Sequence, residues 1–266
     1  MMNRSPGRLR RLSALAAGCA FALIAAHPAM AIPVTFAQYF QNNGALQEWT
    51  ITQTGNTTNI SSTGSVFMLF SGVSGLPFSG PENATFTFSA SSTQLGNCAT
   101  NCANNDNFTQ NGYTGTFSFI DNGGGVAQGM NLLSGVFAVT GTPSTSGGQF
   151  GSTVGATGAS FRSSSDTTNP DQLSLSSAYL FFLNQTQETA SFSLSSLIPN
   201  FAVGTVTAGQ ASPTGTFNAA GSGTFSSNPG PTSAPEPASL ATIGGGLCLV
   251  ALGLRKRKFA VAQSTL

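Results

Sequence analysis

Two cysteines four positions apart, Cys98 and Cys102, enclose Ala99-Thr100-Asn101 in a stretch rich in Asn and Thr. Thiols at this spacing can close a small disulfide loop or supply two ligands to a metal. A zinc site wants a third and a fourth ligand, and no histidine lies between Ile32 and Ala234 to provide one. Oxygen ligands are better represented. Asp166, Asn169 and Asp171 fall within six residues, and Asn104-Asn105-Asp106-Asn107 makes a second cluster. Extracellular calcium takes ligands of this kind, yet neither cluster has the spacing of a calcium loop, and Asn and Asp also gather in ordinary turns. Calcium is the one cofactor that the residues suggest; no other is expected.

Catalysis has little to work with. Between Ile32 and Ala234 there is neither histidine nor lysine, so acid–base chemistry would rest on carboxylates, as in a glycoside hydrolase. Glu48 and Glu82 would form such a pair only if the fold brought them together, and carboxylates at strand ends are ordinarily solvated. No enzyme activity is expected. Sugar binding by ring stacking is more plausible, with Trp49, Tyr113 and Tyr179 as the candidate rings. An aromatic within a strand is, however, more often a core residue.

Charge narrows the field further. Only 6% of residues are charged, and eight of the nine basic ones lie near the two ends of the sequence. Between Ile32 and Ala234 Arg162 is the sole cation, set against seven carboxylates, for a net of −6. Nucleic-acid binding needs a cationic surface to displace counterions, and this body offers none. With 21 phenylalanines the chain is also unlike a disordered one.

The elements that must carry these residues read as strands. Phe86 and Phe88 alternate with Thr85, Thr87 and Ser89; Phe117 and Phe119 with Thr116 and Ser118; Phe192 and Leu194 with Ser191, Ser193 and Ser195. A period of two puts rings on one face and hydroxyls on the other. Further strands are expected over Val34–Phe40, Glu48–Gln53, Val66–Ser71, Leu132–Thr140, Ala178–Asn184 and Phe201–Thr207, with turns at Gly80-Pro81 and Asp121-Asn122-Gly123. No helical period persists within the body. Short strands and Gly-rich turns predict an all-β, antiparallel β-sandwich, jelly-roll-like in its connections. Thr114-Gly115-Thr116-Phe117 recurs as Thr214-Gly215-Thr216-Phe217, but uneven spacing makes a solenoid the lesser reading.

Both ends look like processing segments. Arg4, Arg8, Arg10 and Arg11 precede an apolar run from Leu12 to Ala26, and Ala29-Met30-Ala31 places small residues where signal peptidase wants them. Residues 1–31 are therefore expected to be a secretory signal helix cleaved after Ala31. At the other end, a Pro/Gly/Ser linker over 226–234 leads to Pro235-Glu236-Pro237, an uncharged run from Ala238 to Leu254, the cluster Arg255-Lys256-Arg257-Lys258, and a tail over 259–266. A helix over 238–254 would span roughly 25 Å, enough to cross a thin bilayer, with the cations held on the cytoplasmic side. An exported chain meets an oxidising compartment, which favours the disulfide for Cys98 and Cys102.

The ordered combination over 235–258 resembles the PEP-CTERM sorting signal of Gram-negative bacteria that make extracellular polysaccharide. Members usually carry Val before the motif, where this sequence has Ala234, and often stop soon after the basic cluster. The resemblance implies recognition of Pro235, Glu236 and Pro237 by an exosortase, with signal peptidase and exosortase as processing partners and an inner-membrane intermediate on the way to the cell surface or matrix. A permanent anchor preceded by a chance Pro-Glu-Pro is the alternative. The expectation for the body, residues 32–225, is a structural or adhesive role in exopolysaccharide, or else a carbohydrate-binding module.

Overall fold

Alternation between rings and hydroxyls runs along several of the long strands, because a pleated chain sends successive side chains to opposite faces. The computed structural model describes residues 33–42, 47–124, 128–138, 147–165 and 172–233, all within one compact unit, Pro33–Leu266. In chain order the strands are β1 Val34–Gln41, β2 Trp49–Thr54, β3 Thr57–Phe70, β4 Glu82–Ser92, β5 Gly96–Cys98, β6 Asn107–Asp121 and β7 Asn131–Phe137. They continue as β8 Gly148–Thr153, β9 Ala159–Ser165, β10 Leu173–Ser176, β11 Leu180–Phe181, β12 Gln187–Ile198, β13 Gln210–Ala211, β14 Thr216–Asn228 and β15 Thr232–Ser233. Among the described residues no helix occurs, and all strand pairing is antiparallel. The expected all-β class is therefore what the described residues adopt. The signal helix and the helix over 238–254 lie outside the described residues.

The connections differ from a jelly roll. β3 pairs with β4, β4 with β6, β6 with β8, β8 with β9, β9 with β12, β12 with β14, β14 with β1, and β1 with β3. Each strand of this ring lies beside strands close to it in sequence, and the last pairs with the first. The result is an up-and-down sheet of eight principal strands closed on itself, whereas a jelly roll would need two Greek keys. β2 fills the place beside β1, pairing with β3 and with β14. β7 pairs with β6 and carries β10. Closure removes the open edges that an unpaired sandwich would present. The solenoid reading fails as well. Gly215 precedes β14 in a positive-φ conformation, while Gly115 sits inside β6, so the similar tetrapeptides are not structurally equivalent.

Two walls of the flattened ring face each other as sandwich layers do, and rings fill the space between them. Phe88 of β4 meets Phe161 of β9 edge-on at 5.1 Å and Phe192 of β12 at 5.2 Å. Phe86 stacks on Phe119 at 4.7 Å and on Tyr39 at 4.9 Å. So many rings fit because glycines lie beneath them. A Cβ at Gly221 would come within 2.2 Å of Trp49, one at Gly148 within 2.2 Å of Phe161, and one at Gly135 within 2.3 Å of Phe117. An eight-stranded ring has just enough interior for side chains, and bare backbone makes the room that large rings require.

Three expectations about element placement need correction. β14 runs on to Asn228, and β15 pairs with β11, so the chain from Ser226 to Ser233 belongs to the fold rather than to a linker. Only Leu180–Phe181 of the Ala178–Asn184 segment is strand, and Phe201–Thr207 makes just isolated bridges at Val203 and Thr207. β8, β9 and β10 carry too few apolar residues to be read as strands. In β9 the inward positions are Phe161, Ser163 and Ser165, and the two serines are buried.

Candidate binding surface

The outward positions of β3, β4, β6, β7 and β10 align across the strands into rows of hydroxyls. One row runs Thr63, Thr87, Ser118, Ser134, Ser176. Within it the Thr87 and Ser118 hydroxyls lie 2.7 Å apart, and those of Ser134 and Ser176 2.8 Å. A neighbouring row runs Ser61, Ser89, Thr116, Val136, Ser174. Adjacent strands lie about 4.8 Å apart and same-face residues about 6.7 Å apart along a strand, so the hydroxyls form a regular grid. The opposite wall is similar: Gln149, Arg162, Ser191, Thr224 and Gln38 align across β8, β9, β12, β14 and β1. A membrane-spanning barrel needs an apolar outer band; these outer rows are mostly hydroxyls and amides, with the exposed Val136 and the charged Arg162 among them.

The sugar-stacking candidates divide. Trp49 and Tyr113 are both 0% exposed, so neither offers a ring to a ligand. Trp49 packs against Phe88 at 4.7 Å. The Tyr113 hydroxyl donates to Gln110 Oε1 at 2.6 Å, and Gln110 Nε2 donates to Thr58 Oγ1 at 2.9 Å and to the Gln94 carbonyl at 2.6 Å. A buried phenol needs such a partner, and burial raises the Tyr113 pKa far above its ordinary value despite the polar contact. Tyr179 is the one half-exposed ring of the three. It stands edge-on to Phe78 at 5.3 Å, and its pKa is raised first by burial and then by the charges of Asp121 and Glu82.

Glu48 and Glu82 do not assemble as a hydrolytic pair. Glu48 reaches inward over Gly64 of β3, where a Cβ would collide with its carboxyl group. Glu82 pairs with Met68, four residues further along β3, or roughly 13 Å at the usual rise per residue. Burial raises the pKa of both, and Asp121 adds to the effect at Glu82. Sequence reasoning passed over Glu188, which the fold makes the most perturbed of the carboxylates. It is 7% exposed, between Ser165 of β9 and Ser227 of β14, and its Oε2 accepts the Leu175 N–H of β10 at 3.1 Å. Desolvation pushes its pKa up to about 7 against the pull of that N–H. The only sign in the sequence was a charge at an inward position of an alternating strand.

Cys98 and Cys102 are joined as a disulfide. The loop it closes wraps around Asp106, whose Oδ2 accepts the backbone N–H groups of Thr100, Asn101 and Cys102 at 2.8–2.9 Å. Partial desolvation raises the Asp106 pKa, but hydrogen bonds from the backbone of Asn101, Thr100, Cys102 and Asn107 outweigh it and leave it lowered. In the Asn104–Asn107 cluster the carboxylate thus organises a turn. Among the described residues no group of three or more His, Cys, Asp or Glu stands together as a metal site. Asp166, Asn169 and Asp171 lie outside the described residues, as do Ala29, Ala31, Pro235, Glu236, Pro237 and the cluster Arg255, Lys256, Arg257 and Lys258. Compared with known proteins, the chain matches no family model, no curated protein and no solved structure.

Proposed function

We propose that this chain is an exported protein, sorted through Pro235-Glu236-Pro237, whose β domain has a structural or adhesive role in extracellular polysaccharide. The address rests on the order of features at the two ends of the sequence: basic residues, apolar run and Ala-Met-Ala at one, Pro-Glu-Pro, apolar run and basic cluster at the other. The observation that carries the role is the pair of outer faces. Rows five strands wide, mostly Ser, Thr and Gln, offer donors and acceptors to a hydroxyl-rich polymer at little desolvation cost. A non-enzymatic role agrees with the separation of Glu48 from Glu82 and with a body lacking His and Lys.

The test is Glu236→Ala, followed by the size and location of the product. Wild-type protein is expected in the cell-surface or matrix fraction at a reduced mass, and the variant in the membrane fraction with its tail retained. Unchanged processing and location would overturn the sorting reading. A carbohydrate-binding module of the same exported class is the second reading, favoured by the polar groove around Arg162.

A further inference from the structure

Arg162 is the sole cation between Ile32 and Ala234, and the fold places it, exposed, in the middle of an outer face. It lies between Gln149 of β8 and Ser191 of β12. Its Nε donates to Gln149 Oε1 at 2.6 Å, and Gln149 Nε2 donates to Asn111 Oδ1 at 2.7 Å. Two planar amides in sequence therefore hold the guanidinium by its inner nitrogen. Its two terminal nitrogens have no hydrogen-bond partner among the described residues. That is the edge a carboxylate meets with two parallel hydrogen bonds.

The surroundings suit a saccharide. Gln149, Arg162, Ser164, Gln172, Gln187 and Thr189 line a groove of about 350 Å³, within the range of small-ligand sites. Its polar side chains are hydroxyls and amides, the groups that meet sugar hydroxyls. The described carboxylates are used elsewhere: Glu48 and Glu188 turn inward, Glu82 and Asp121 lie beside Tyr179, and Asp106 is held by its loop. The charge of Arg162 is thus not neutralised by any described neighbour.

We infer that this groove is a subsite for an acidic saccharide, with Arg162 receiving the carboxylate of a uronate residue and Gln149 positioning Arg162. The inference rests on the polysaccharide reading above and deepens it by naming the ligand's charge and the side chain that meets it.

Calorimetric titration of the purified full-length protein in nonionic detergent, with tetragalacturonate and with neutral cellotetraose, tests it. Tetragalacturonate is expected to bind more tightly than cellotetraose. R162Q should weaken its binding at least about tenfold. R162K should fall between, because lysine keeps the charge and loses the fork. T87A, on the opposite wall, should bind as wild type, and thermal melts should show R162Q folded. If both tetrasaccharides bind alike and R162Q changes neither, the subsite is overturned while adhesion to polysaccharide stands. Should neither bind, the subsite is overturned too, and the Glu236→Ala fractionation decides delivery on its own.

Discussion

A buried carboxyl group, Glu188 between Ser165 and Ser227, makes stability depend on pH. Glu188 titrates near the ordinary glutamate value, about 4.3, in the unfolded chain and at about 7 in the folded one. Between those values the folded state keeps a proton that the unfolded state has lost. Stability is then greatest below the ordinary glutamate range and falls as pH rises to about 7. E188Q keeps an oxygen for the Leu175 N–H and removes the charge. Melting curves should show the variant gaining on wild type between pH 5 and 8, by on the order of 2–3 kcal/mol or roughly 5–10 °C at the upper end. Parallel curves would contradict the burial argument. Asp106 has the opposite sign. Its lowered pKa stabilises the disulfide loop above the ordinary aspartate range, and that help is lost as pH falls through its folded value. D106A should speed hydrogen exchange at the Thr100, Asn101 and Cys102 amides, whose acceptor it removes. Chemistry at this scale was partly legible. The spacing of Cys98 and Cys102 announced a small loop, whereas the burial of Trp49 and Tyr113 depends on which strands face them, information that no local pattern holds.

Strands were legible where rings alternate with hydroxyls, as in β4, β6 and β12, and obscure where the inward residue is Gly or Ser. β8 turns Gly148 and Phe150 inward, and β9 turns Phe161, Ser163 and Ser165 inward. Their pattern is polar throughout except for one ring each. Glycine also makes room inside a strand: in β14, Gly221 lies under the indole of Trp49. G221A should therefore overpack the interior and cost about 1–3 kcal/mol, lowering Tm. Replacing Trp49 by Leu in the same chain should recover part of that loss, since the two sites share one space. Additive losses in the double variant would show that the ring and the glycine do not compete for it.

For the whole molecule, closure of the ring gives each of the eight principal strands a described neighbour on both sides, and the aligned outer rows carry mostly donors and acceptors, with a few exposed apolar side chains such as Val136 and Phe40. Closure was not legible, because it depends on β14 returning to β1 across nearly 190 residues of sequence, and alternation says nothing about which strands meet. A sorting motif is read linearly, so the proposed address rests on the sequence alone, whereas a binding surface is assembled from distant strands and only the fold lays it out. The central claim is that this chain is exported and that its β domain resides at the cell surface or in the matrix. Mass spectrometry of the protein recovered from the extracellular matrix fraction tests it most directly. The account predicts an N-terminus at Ile32 and loss of the segment beyond the neighbourhood of Pro235–Pro237, and recovery of a chain beginning near Met1 with Arg255–Lys258 still attached from the cytosol alone would contradict it.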